Sequence, residues 1–78
     1  MQIKARNPKH QSKVNKAVKY LTAYYQANTK RDHADDEGNE KEYKKYDKVC
    51  QNTFDKYLEV LDVLPKGEQT NIEKQYHK

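Results

Sequence analysis

The sequence is poor in the features that stabilise a small protein by chemistry rather than by packing. It holds a single cysteine, Cys50, so no disulfide can form within the chain. Zinc spacing, which needs Cys and His in close pairs, is missing as well: His10, His33, His77 and Cys50 lie one per segment. No metal or cofactor is therefore expected. There is no tryptophan, and only two glycines and two prolines punctuate 78 residues. With so few breakers, long uninterrupted helices are permitted. No apolar run approaches the roughly 18–20 residues that cross a bilayer. The opening MQIKARNPKH lacks the apolar core of a secretory signal. These absences, with one unpaired cysteine, lead to the expectation of a cytoplasmic protein without a membrane partner. The last absence is local: residues 1–31 contain no acid, against eight Lys or Arg. Residues 32–78 carry eight basic and twelve acidic side chains, so the overall charge of +4 conceals two halves of opposite sign.

What is present is helical periodicity. Hydrophobic residues make up 33% and charged residues 36%, a balance near that of disordered chains. The case for folding thus rests on pattern. In residues 40–64 the large apolar side chains fall at Tyr43, Tyr46, Cys50, Phe54, Tyr57, Leu61 and Leu64. Steps of three and four return to one side of an α-helix on each turn, whereas a strand would alternate. A helix over 39–64 follows. Pro65 ends it, having no amide donor and disfavouring α geometry at Leu64. Val49, Leu58 and Val60 widen its apolar face on both flanks.

Before it, Asn7-Pro8 reads as a helix start, with Asn as N-cap and Pro at the first position. Over 8–28 Val14, Ala17, Val18, Leu21, Tyr24 and Tyr25 share one side. Lys9, Lys13, Lys16 and Tyr20 occupy the other, flanked by Lys19. Residues 1–7 show no period and are expected to be a mobile basic arm. Residues 29–38, TKRDHADDEG, contain no apolar side chain larger than Ala and are read as an acidic loop. Their likeness to a calcium loop fails where it matters, since the end positions would be His33 and Lys44 rather than carboxylates. Ile72 and Tyr76, one turn apart, suggest a short third helix over 66–76.

Together these predict a single all-α domain: an antiparallel two-helix hairpin plus a short C-terminal helix. A ten-residue loop would set Tyr24 and Tyr25 near Tyr43 and Tyr46, Leu21 near Cys50, and Val14 near Phe54 and Tyr57. Lys9, Lys13 and Lys16 would then neutralise Asp55, Glu59 and Asp62. Because one hairpin cannot cover the broad face of the second helix, a homodimer completing a helical bundle is expected. Val49, Cys50, Phe54, Tyr57, Leu58 and Leu61 are its dimer or core residues.

Two helices offer no pocket and no preorganised oxyanion site, so no catalytic residue is assigned and the protein is expected not to be an enzyme. Its expected class is an interaction protein (adaptor, inhibitor or regulator) binding another protein through helical surfaces. Tyrosine combines a buried ring with a wet hydroxyl, as interfaces favour. Tyr20, Tyr24, Tyr25, Tyr43 and Tyr46 are the candidate contacts. The alternative is DNA or RNA binding, with Lys4, Arg6, Lys9, Lys13, Lys16 and Lys19 on phosphates.

Overall fold

The computed structural model describes residues 3–76, so His77 lies outside the described residues. A 3₁₀ turn, Pro8–His10, leads into α1 (Gln11–Asp36), followed by α2 (Glu40–Asp62) and α3 (Lys66–Tyr76). The fold is all-α, and no strand occurs among the described residues. Asn7 caps the 3₁₀ turn, its side chain accepting from the Lys9 amide. Asn39 caps α2 in the same way, accepting from the Glu42 amide.

The sequence expectation for residues 29–38 is corrected. Thr29 to Asp36 continue α1 for two more turns, leaving only Glu37, Gly38 and Asn39 as the connection. Nothing in 29–36 breaks a helix, and Ala27 and Ala34 are buried against α2. Small side chains there let the two backbones approach closely. Arg31 adds a tie across the hairpin, its Nη1 donating to Asp47 Oδ1 at 2.8 Å. At the end of α1 the Asn39 amide donates to Ala34 O and the Gly38 amide to Asp35 O. This is a Schellman closure, and Gly38 takes the left-handed φ of +71° it requires.

Lengthening α1 moves the register. Phe54 stacks on Tyr24, with ring centroids 5.1 Å apart, and not beside Val14. The Cys50 thiol donates to Tyr24 O. Lys30, rather than Tyr24, reaches Tyr46.

The expectation of a mobile arm is also corrected for residues 3–7. Ile3 is only 1% exposed and joins Ala5, Val14, Ala17, Val18, Leu21, Tyr57, Leu61, Leu64 and Ile72 in one core. Side chains of α1 and α3 take up its backbone polar groups, as burial demands. Gln11 accepts from the Ala5 amide and donates to Ile3 O. Asn71 and Gln75 both donate to Lys4 O. Glu68, 3% exposed, accepts from the amides of Arg6 and Asn7 and pairs with His10 Nδ1 at 3.1 Å. Gln69 then closes the end of α2, donating to Leu61 O and Leu64 O.

α3 lies against the first half of α1, where Tyr76 stacks on Tyr25 and its hydroxyl meets Thr22 Oγ1. The molecule measures 45 × 23 × 16 Å: three helices thick at one end, two at the other.

Two outcomes follow. Ile3→Ala should cost about 2–5 kcal/mol in urea denaturation; an unchanged midpoint would return residues 3–7 to a mobile arm. Burial pushes the Glu68 carboxyl up, but the Arg6 and Asn7 amides and the His10 ring together outweigh it and hold it below its ordinary value. Its contribution is therefore present at and above the ordinary glutamate value. It is lost as pH falls through the lower folded value. Glu68→Gln should flatten that acid limb of the stability profile; an unaltered limb would remove Glu68 as its source.

Candidate interaction surfaces

The tyrosine candidates do not converge. Tyr43 stands beside the Gly38 turn with Ala34 and Lys44. Tyr46 lies beneath Lys30 and Lys45, whose Nζ atoms are 5.7 and 5.5 Å from its ring centroid. Tyr20 leans on the core and lies beneath Lys56 at 5.9 Å. Tyr24 and Tyr25 are far from the turn. They pack edge to face at 5.3 Å and belong to a cluster with Phe54, Tyr57 and Tyr76. That cluster stands where α3 ends and the hairpin continues alone. Phe54 and Tyr76 were not among the tyrosine-site candidates. The step from Ile72 to Tyr76, read with a longer α1, is the signal that would have found them.

Within the cluster, burial raises the Tyr57 hydroxyl pKa, and Glu73 adds to the effect. Tyr57 is thus an internal, neutral phenol. The dimer candidates split in two. Cys50, Tyr57 and Leu61 are sealed inside the monomer by α1 and the described N-terminal and C-terminal segments. Val49, Phe54 and Leu58 stay exposed, Phe54 by 38% and Leu58 by 46%.

The two flanks of α2 differ. Leu58 shares a shallow groove with Asp55, Glu59, Leu61, Asp62 and Gln69, on the side where α3 begins. Asp55, Glu59 and Asp62 are exposed and recur at steps of four and three. The expectation that Lys9, Lys13 and Lys16 neutralise them is not met. Among the described residues, ion pairs within 4.0 Å join only His10–Glu68, Arg31–Asp47 and His33–Glu37. The acidic stripe and the basic stripe are both left to solvent.

The phosphate-contact candidates separate too. Lys13 and Lys16 are exposed on the side of α1 that carries Tyr20, and Lys9 is exposed in the 3₁₀ turn before it. Lys19 stands with Ile3, Asn15 and Gln26. Arg6 lies over Gly67, its Nη1 3.2 Å from where a Cβ there would sit. Lys4 is held at its carbonyl by α3.

Among the described residues no three His, Cys, Asp or Glu side chains gather as metal ligands. No described helix is long and apolar enough to cross a membrane. Cys50 is 2% exposed, and burial raises its thiol pKa despite the nearby Arg31. Such a thiol is a weak nucleophile. A scan against protein-family models and searches of curated proteins and of solved structures found no match.

Native protein should react with a thiol reagent at least about a hundredfold more slowly than denatured protein, because exposure needs opening of the hairpin. Equal rates would make Cys50 a surface thiol.

Proposed function

We propose that the chain is a non-enzymatic interaction protein that docks a basic, amphipathic helix of another protein along the Phe54–Leu58 flank of α2. The observation that carries this reading is the combination on that flank. Two large apolar side chains one turn apart stand exposed beside three carboxylates that have no ion-pair partner among the described residues. An incoming helix with an apolar stripe and flanking Lys or Arg would cover the first and pair the second, as helix-in-groove recognition does. Phe54 is already fixed on one side by Tyr24 and Tyr57, so it presents an ordered edge at small entropic cost.

Homodimerisation through the same flank is the competing reading. A two-fold axis through Leu58 would bring Asp55, Glu59 and Asp62 against their own copies. Repulsion of that kind favours a basic partner over a second copy. The monomer also keeps Cys50, Tyr57 and Leu61 for itself, which leaves self-association a small apolar area.

The probe is a labelled helical peptide with a leucine stripe flanked by lysines, followed by fluorescence anisotropy. Leu58→Ser should weaken its binding about tenfold or more, as loss of a central anchor does. Reversing Asp55 and Glu59 to Lys should do the same with the fold intact by circular dichroism. No binding by the unaltered protein would end the reading. Sedimentation that shows a dimer abolished by Leu58→Ser would replace it with self-association.

A further inference from the structure

The opposite side of the hairpin is built differently. Tyr20 and Thr22 are two residues apart and so point to roughly opposite sides of α1, at about 100° per residue. Thr22 faces Tyr76 of α3, which leaves Tyr20 on the far side. There Lys56 crosses from α2 to lie over the Tyr20 ring, and Lys30 and Lys45 approach the Tyr46 ring from different helices. Lys13 and Lys16, at helical steps leading to Tyr20, extend the same side. Five ammonium groups thus follow one seam between α1 and α2. None is within 4.0 Å of a carboxylate among the described residues.

From Lys13 to Lys30 the seam runs roughly 25 Å at 1.5 Å per residue, along a molecule 45 Å long. Lysines that repel one another and pair with no carboxylate among the described residues are stabilised by a polyanion that lies along them. The two tyrosines narrow the choice. An ammonium over a ring holds a π-face that a planar base can take once the lysine moves to a phosphate. Asp and Glu side chains carry no aromatic ring to take that face. Val49 alone is too little apolar surface to enter a lipid layer.

We propose that this seam binds single-stranded nucleic acid, its lysines on phosphates and Tyr20 and Tyr46 stacking on bases. Recognition of this type is led by charge and carries little sequence preference. The seam includes Lys45 and Lys56 of α2, which the basic first half of the chain alone does not indicate. It shares no residue with the Phe54–Leu58 flank, so either surface can fail without the other.

The test is fluorescence anisotropy with a labelled oligothymidylate of about twenty nucleotides, titrated between about 50 and 200 mM salt, beside a duplex of equal length. The single strand should bind at low salt and weaken steeply as salt rises. The double variants Lys13→Glu with Lys16→Glu, and Lys45→Glu with Lys56→Glu, should each lower the logarithmic salt slope by about 0.7 per lysine removed. Tyr46→Leu should weaken binding about fivefold or more while leaving the slope unchanged. Lys74→Glu, an exposed lysine on α3, makes the same kind of charge change off the seam and should have little effect. Circular dichroism establishes that each variant is folded. No binding at low salt would overturn the proposal. So would equal damage from Lys74→Glu, a preference for the duplex, or competition by polyglutamate as strong as by unlabelled strand.

Discussion

Two long helices can lie flat against each other only if the side chains between them allow it, and at the turn end of this hairpin those side chains are alanines. Ala27 and Ala34 are buried where α2 passes, and Gly38 supplies the left-handed residue that closes α1 one step later. With the connection held to Glu37–Asn39, the register of α1 on α2 has no freedom left. Every surface described above depends on that register. It brings Phe54 to Tyr24, Lys30 to Tyr46, Lys56 to Tyr20 and Arg31 to Asp47. A loop of ten residues would have produced a different molecule from the same two helices.

The other end of the hairpin faces the opposite difficulty. There the core needs a third layer, and α3 is short. Residues 3–7 complete it by packing as an extended strap, with Ile3 as the plug. A strap without a sheet must find other partners for its amides and carbonyls. The chain provides them from side-chain amides and one carboxylate: Gln11, Asn71, Gln75 and Glu68. This spends polar residues inside a thin core, which is consistent with a chain whose hydrophobic content is only 33%.

Much of this was legible in the residues. The existence of α2 and α3, the Asn7-Pro8 start and the burial of Cys50 follow from spacing, breakers and capping chemistry, while α2 ends two residues short of the expected 64. The length of α1 did not, because its last two turns are held by alanines and an Arg–Asp pair. Neither contributes to a hydrophobic period, so the segment resembles a polar loop. The strap was missed for a related reason: one isoleucine has no period. Its anchors, Glu68 and Asn71, lie more than sixty positions away. Among surfaces, the basic stripe was visible on α1 alone. Its continuation onto α2 needed the corrected register.

The strap has a consequence for how the chain comes into being. Its hydrogen bonds to α3 join residues separated by 61 to 71 positions. During synthesis residues 3–7 must wait, with Ile3 bare, until the α3 residues that clasp them have left the ribosome. The hairpin between can wind as it appears, since its contacts are nearer in sequence. Maturation of the core is therefore the last event, and it takes place only after translation has passed residue 75.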